Sequence, residues 1–386
     1  MDNSDELKIE VFDDPKIFQS IYNEWLMLID DCTSTIFSQP EWYYAWWETF
    51  GAESRLMFIT ARVNSRLVGV LPFCARSTGI KDFFSRYIEP VSGTFSDYYS
   101  PIIARGYESL ILPKVFECIS NAKQNNKIII WPNILWENQF IEAFRDFSRK
   151  SNYRLKEKKT ICYRMSFGKD YSSTEKLWKK SLRTDLRRQK RRLVQKGKLS
   201  LWIASSKEDV LKILPEFFDV YNSKWLSQKK PSYLSELPMQ EYCYRIVENV
   251  WGKGLHFSTL KCDDLSISYH FGFKYDGWLY WYKPTYRIDF HTYSPSKLHI
   301  SYLVHEGIKS GLKGVDFLQG DEFYKKQWAM ETKETVSFII GLEKYSLIYY
   351  WFSYAKPWLL NIIGKKYLKL KASFGTIFLN RENTQF

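Results

Sequence analysis

Apolar positions along this chain alternate between helical and strand periods. Phe18, Ile21, Trp25 and Leu28 stand three and four apart, as on one face of a helix. Residues 56–63 and 67–75 are β-rich runs joined by Asn64 and Ser65, a hairpin signal. Helical patterns over 107–123 and 138–149 flank the apolar run 128–131, which predicts a buried strand, and 160–167 predicts another. The turn-rich stretch 168–174 that follows marks a boundary between two halves.

The second half opens with a helix whose inward stripe is Trp178, Leu182, Leu186 and Leu193, followed by helical stretches over 207–227 and 239–251. Three strands are predicted next, over 255–262, 266–274 and 278–283, joined at Asp263 and Asp264 and then at Asp276 and Gly277. The last of these is a good tight-turn dipeptide. A helix over 296–310 puts Ile300, Leu303, Val304 and Ile308 on one side, and a strand over 314–318 ends at Gln319, Gly320 and Asp321. Leu56, Phe58 and Thr60 of the first half match Leu255, Phe257 and Thr259 of the second, and each set opens a strand–turn–strand unit. With the similar order of elements, this points to duplication of one α/β unit.

The length of 386 residues exceeds one ordinary hydrophobic core, in keeping with two halves. Hydrophobic content of 45% with 26% charged residues argues against disorder. The aromatic share of 18% suits sugar-stacking clefts and membrane interfaces, and it suits ordinary cores as well. Net charge is +13, and residues 176–198 carry +10 of it: eleven basic side chains, Arg183 and Arg187 among them, against Asp185 alone. A field so concentrated favours phosphate groups, and the rest of the chain is nearly neutral. The six cysteines are far apart, without CxxC pairs or histidines at zinc-binding spacing, so neither a disulfide framework nor a metal site is expected. With an acidic, polar N-terminus and no secretory signal, the expected compartment is the cytoplasm.

Walker, GxGxxG, HExxH and GxSxG motifs are absent, so the chemistry must be sought elsewhere. The informative region runs from Trp278 to Trp328. A strand leads through a loop to Ser294, Pro295, Ser296 and Lys297 at a helix start. Such a serine can cap the helix; equally, the free N–H groups and the helix dipole can hold a diphosphate, with Lys297 adding charge. Asp97 and Asp321 are candidate bases, each also suited to capping a turn or a helix. His270, inside a strand, reads as a core residue.

The run FSQPEWYYAWW over 37–47, the basic run LRTDLRRQKRRL over 182–193, the segment Tyr293 to Leu298 and the run VDFLQGDEFYKKQWA over 315–329 occur in this order. Together they resemble the CelD/BcsL-type acetyltransferase-like family of bacterial polysaccharide loci, over about residues 35–330. That family belongs to the GNAT superfamily and is similar to the Fem-type peptidoglycan aminoacyltransferases, which carry two fused GNAT units. The resemblance implies an α/β fold with mixed sheets in two fused GNAT-like units, over residues 1–168 and 169–345. It implies acyl transfer from a thioester, or from aminoacyl-tRNA in the Fem branch, to an amine or hydroxyl. An acyl-CoA diphosphate would then sit at Ser294, Ser296 and Lys297, although the Gln/Arg-x-x-Gly-x-Gly/Ala loop of such folds is replaced here by a stretch lacking both glycines. By the same resemblance Tyr324 and Lys325 match the aromatic–lysine pair at the Fem active site, where Lys325 can stabilise developing oxygen charge. Arg183, with Arg187 one turn on, matches an arginine that holds a substrate phosphate.

The leading expectation is therefore acetyl transfer from acetyl-CoA, without a metal, to a sugar or lipid-linked saccharide in envelope or exopolysaccharide synthesis. Fem-like transfer from charged tRNA, a nucleic-acid binder and a non-catalytic scaffold are the alternatives; the apolar stripe within the basic run speaks against the binder. Residues 346–386 combine the aromatic run Tyr349, Tyr350, Trp351 and Phe352 with Lys365, Lys366, Lys369 and Lys371, and Lys356 and Pro357 interrupt the apolar stretch. This suits a helix lying peripherally on the inner membrane surface rather than one that spans it, or a helix packed on its own domain.

Overall fold

The computed structural model describes residues 6–77, 86–121, 128–135 and 138–342. The segment 346–386, with its expected membrane-surface helix, lies outside the described residues. No helix among the described residues is long and apolar enough to cross a membrane.

The first half lays down strands β1 (Leu7–Phe12), β2 (Arg55–Val63), β3 (Arg66–Ser77), β4 (Arg86–Pro90), the short β5 (Ile102–Ile103), β6 (Ile128–Leu135) and β7 (Arg154–Ser166). Its helices are α1 (Ile17–Ser20), α2 (Tyr22–Asp30), α3 (Pro40–Phe50), α4 (Glu108–Asn121) and α5 (Asn138–Lys150). The second half opens with α6 (Tyr171–Leu177) and the basic α7 (Lys180–Val194), then β8 (Leu199–Ile203), α8 (Lys207–Ser227) and α9 (Leu237–Val250). The strands β9 (Leu255–Cys262), β10 (Leu265–Tyr275) and β11 (Trp278–Tyr286), helix α10 (Pro295–Lys309), strand β12 (Gly314–Gln319), helix α11 (Phe323–Trp328) and strand β13 (Glu331–Gly341) complete it.

The thirteen strands of the described residues form one mixed sheet, ordered β1-β2-β3-β4-β6-β13-β7-β12-β11-β10-β9-β8, with β5 beside β3. Read from either edge, the order is the same up to the centre. There the last strand of each half sits against the other half: β13 pairs with β6, β7 pairs with β12, and β7 and β13 pair with each other. The duplication thus extends to the topology. Its irregularities repeat too. β3 and β10 each carry one extra residue just after their hairpins, at Val68 and Ile267. β6 and β12 each bulge, two residues against one, and the second of the two turns left-handed, Asn133 at φ 57° and Leu318 at φ 59°. Bulges are designed features that re-aim side chains, and the same bulge at the same point in both halves is strong internal evidence of common origin. Counted back from the hairpins, Leu56, Phe58 and Thr60 occupy the places of Leu255, Phe257 and Thr259, as the sequence echo requires.

Local chemistry explains most elements. Asn64 and Ser65, and likewise Asp276 and Gly277, adopt positive φ as the tight turns demand. Capping boxes Asp170–Ser173 and Ser206–Asp209 start α6 and α8. The leucine stripe of α7 faces inward, burying Leu182, Leu186 and Leu193. Strand β7 begins six residues before the predicted 160, because its polar first half is held by β13, which the apolar pattern does not reveal. Aromatic residues chiefly fill the core: Trp25, Trp42, Trp46, Trp131, Trp281 and Trp328 are all fully buried. Trp328 meets Trp178 edge to face at 4.7 Å, tying α11 to the start of α7.

Candidate active site

Strands β11 and β12 run parallel and pair only from Trp278 to Tyr280, opposite Gly314 to Asp316. Past that point they part. On β11, Trp281 and Tyr282 form a bulge against β10, and the ring of His270 bonds the Tyr280 carbonyl at 3.0 Å while stacking on Trp281 at 4.4 Å. A side chain on Gly272 would strike both His270 and that carbonyl, so the bulge needs glycine here. On β12 the left-handed Leu318 interrupts the strand's register, and the buried Asp316 holds it there. That carboxylate accepts from Leu318 N at 2.8 Å, Tyr98 Oη at 2.7 Å and Arg164 Nε at 2.5 Å. The wedge left between the strands is a cleft of about 580 Å³.

Six sequence-predicted residues line this cleft: Asp97, Ser294, Ser296, Lys297, Tyr324 and Lys325. Ser294 precedes α10 in the left-handed conformation (φ 52°) and makes no side-chain capping bond, so the capping role is not taken and the helix tip stays open to the cleft. It also provides a left-handed position in a loop without glycine. Lys297 pairs with Asp185 at 3.2 Å, and Arg192 of α7 donates to the Thr292 carbonyl at 3.0 Å. The basic helix therefore clamps the loop and tip. The Ser296 hydroxyl meets Ser268 at 3.4 Å, a long contact that leaves it free to reorient.

Lys325 is 4% exposed; its ammonium donates to the Gln319 carbonyl and pairs with Glu322 at 2.9 Å. One of its three N–H groups remains for a ligand. Asp97 comes from the first half. Gln319 Nε2 binds the Asp97 carbonyl, and Tyr282 Oη donates to the Phe95 carbonyl at 2.8 Å, so the segment around Asp97 walls the second half's cleft. Burial pushes the Asp97 carboxyl up to about 6, against the pull of Lys283 and Lys325. Burial also lowers the Lys283 ammonium, which lies 4.4 Å from the centre of the Tyr282 ring and 4.9 Å from that of Tyr233. Burial keeps the Tyr324 phenol protonated.

Three predicted residues stand elsewhere. Asp321 is exposed; its carboxyl accepts from Tyr163 at 2.6 Å and pairs with Lys326 at 2.8 Å, which together hold it below the ordinary carboxylate range. Such a group outside the cleft is poorly suited to take an acceptor proton. Arg187 pairs with Glu175 at 3.1 Å and lines a separate groove with Tyr171, Lys190 and Tyr302. Arg183 is half-buried on α7 and does not reach the cleft. Helical phase is the reason: burying the leucine stripe turns these arginines away from the wedge. His270 is a buried brace, and burial drives its ring down to about 3.

Sequence reasoning missed Lys224, Trp225, Lys230, Lys283 and Gln319, all lining the cleft. Their only signal was a lone lysine within an aromatic strand and a Lys-Trp pair at a helix end. Among the described residues, no group of three or more His, Cys, Asp or Glu side chains is arranged to hold a metal ion.

An open wedge between two parallel strands, with a helix tip at its mouth, defines the class: a tandem α/β protein of GNAT type. Residues 180–326 match the family model of an acetyltransferase (GNAT) domain. The chain is similar in fold to FemX, with a TM-score of 0.61 and 10% identity over 88% of this chain and 100% of that one. It is similar also to a protein of unknown function from Bacteroides thetaiotaomicron (TM-score 0.54, 10% identity, 87% and 100% covered). A third likeness is to L-PGS from Bacillus licheniformis (TM-score 0.51, 11% identity, 85% and 92% covered). A comparison of the sequence with curated proteins found no significant match.

Proposed function

We propose that the protein moves an acyl group, acetyl foremost, from acyl-CoA to an amine or hydroxyl of a sugar or polysaccharide precursor. One observation carries this reading: the open wedge joins an uncapped helix tip, which suits a diphosphate, to the buried Lys325 and the half-buried Asp97 in the same cleft. The donor supplies an activated acyl carbon. The N–H groups at the start of α10, with Ser294, Ser296 and Lys297, hold its diphosphate. The third N–H of Lys325 meets the oxygen charge that develops at the acyl carbon. Asp97, ionised above about pH 6, takes the acceptor's proton. The Tyr324 hydroxyl, kept protonated by burial, donates a hydrogen bond to the departing thiolate, which takes the proton that Asp97 removed from the acceptor.

The four sequence segments that resemble CelD/BcsL-type proteins support a polysaccharide setting. A second reading, aminoacyl transfer from charged tRNA to a cell-wall precursor, draws on the likeness to FemX and on the exposed arginines of α7. Labelled acetyl-CoA and a labelled aminoacyl-tRNA, offered side by side with candidate glycans, decide between them. Label passing from acetyl-CoA into a saccharide bears out the first reading; label passing only from the tRNA replaces it with the second. Label from neither leaves a non-catalytic scaffold.

A further inference from the structure

The cleft holds five lysines, and they are not alike. Lys297 and Lys325 are paired with Asp185 and Glu322. Lys224, Lys230 and Lys283 pair with no carboxylate among the described residues. Their ammonium groups rest instead on aromatic rings: Lys224 at 5.4 Å from the centre of Trp225 and 5.2 Å from that of Tyr286, and Lys230 at 5.8 Å from Trp225. A half-buried cation without a counter-charge is costly, and burial lowers Lys224 to about 8, with only Glu322 opposing. A chain keeps such an arrangement where a ligand brings the missing negative charge.

The place of these groups separates them from the donor. The helix tip lies at the start of α10, whereas Lys224, Trp225 and Lys230 come from the C-terminal end of α8 and the loop after it. Trp225 and Tyr286 present flat apolar faces of the kind on which a sugar ring packs, and the two lysines flank the tryptophan. We propose that this aromatic–lysine wall is the acceptor subsite, and that it takes a saccharide carrying an anionic group, a phosphate or a carboxylate, rather than a neutral sugar. The proposal rests on the acyltransferase reading of the same cleft and specifies its acceptor. On binding, the anion draws the ammonium groups off the rings, and the exposed faces receive the sugar.

The test is calorimetric binding to the full chain of N-acetylglucosamine, N-acetylglucosamine 1-phosphate, glucuronate and, separately, acetyl-CoA. The expected result is a preference of about tenfold or more for one charged sugar over the neutral one, as charge-assisted bonds give. Whichever of the two is favoured names the source of the anion. A Lys224→Gln, Lys230→Gln double variant should bring that preference close to unity, leaving N-acetylglucosamine and acetyl-CoA binding as they were. Trp225→Leu should weaken all the sugars alike. Equal binding of charged and neutral sugars, no binding of any of them, or a double variant that keeps its preference overturns the proposal. So does a double variant that loses acetyl-CoA instead, since the lysines would then serve the donor. Failure of the acyltransferase reading looks different: the unaltered protein would bind no acetyl-CoA, whatever it did with sugars. Circular dichroism and thermal melting of each variant show that it is folded.

Discussion

The two halves share a topology and a bulge, yet among the described residues the open wedge belongs to the second. In the second half, β11 and β12 part and leave the cleft. In the first, among the described residues, β4 and β6 also pair over only two positions, at Tyr87 and Ile88. There the chain fills the gap itself. Tyr99 lies alongside β6, its N–H bonding the Asn133 carbonyl at 2.9 Å and its carbonyl accepting from Leu135 at 3.2 Å. The helix tips differ in the same sense. α10 opens with an uncapped serine, whereas α4 opens with the buried Glu108, whose carboxylate accepts from Gly106 N at 2.8 Å. A carboxylate there answers the helix dipole and would repel a phosphate. Where the second half has Asp316 ahead of its bulge, the first has Trp131. The first half has thus become a wall, and the segment that seals its own wedge carries Asp97 into the other.

The Asp316 network is what gives the second bulge its character, so its loss should be the most severe. Asp316→Ala leaves Arg164 buried without its partner, and chemical denaturation should show a loss of about 3–5 kcal/mol. Replacing both by apolar residues, Asp316→Leu with Arg164→Met, should restore much of it. A single variant that melts like the parent means the network does not hold the wedge open. Lys325→Ala comes next. With one donor to the developing oxyanion removed, turnover should fall by about 10²–10³-fold while the melting curve keeps its shape. Intact turnover would take Lys325 out of the chemistry and leave the open wedge a binding site.

Asp97, the first half's contribution, sharpens the comparison through pH. Its folded value of about 6 lies above its ordinary value of 3.8, so the ionised form needed for proton removal is lost as pH falls through about 6. Turnover should drop about tenfold for each pH unit below that point, and Asp97→Asn should be slow and flat across the range. The stability effect has the opposite sense: the folded state binds this proton more tightly than the unfolded chain, so stability contributed at low pH is lost as pH rises from about 4 to about 6. Lys283, Lys325, Asp316 and Glu322 face the carboxyl, and a pH profile unchanged in Asp97→Asn would take Asp97 out of the base's role.

Much of this was legible because strand alternation and turn chemistry agree with the tertiary structure. The hairpins at Asn64 and Asp276 and the helix over 296–310 are local facts, and so is the pairing of Tyr324 with Lys325. β13 was not legible: its first half, Glu331 to Thr335, is polar, and its place between β6 and β7 depends on strands far away in sequence. Lys224, Trp225 and Lys283 escaped for a related reason. On a helix end and in an aromatic strand they look like solvated charge and core, and only the parting of β11 from β12 turns them toward one cavity. The arginines at 183 and 187 and the carboxyl at 321 show the converse, since a motif in the right place along the chain does not fix the direction of its side chains. Helical phase turned the first two away, and pairing with Lys326 held the third at the surface.

The mildest tests exchange the two helix tips. Ser296→Asp puts at the α10 tip the negative charge that α4 carries, and acetyl-CoA affinity should fall about tenfold, by dipole loss and direct repulsion together. Glu108→Gln does the reverse at α4. It should cost within about 1 kcal/mol of stability, the usual size of a dipole and capping interaction, and leave acetyl-CoA affinity where it was. The second result matters more than its size suggests. Tyr99 occupies the first wedge whatever the charge at its mouth, so neutralising Glu108 can open no site there. If calorimetry showed a second acetyl-CoA bound in Glu108→Gln, the carboxylate rather than the inserted chain would be what silences the first half, and Tyr99 would have to be able to leave its place.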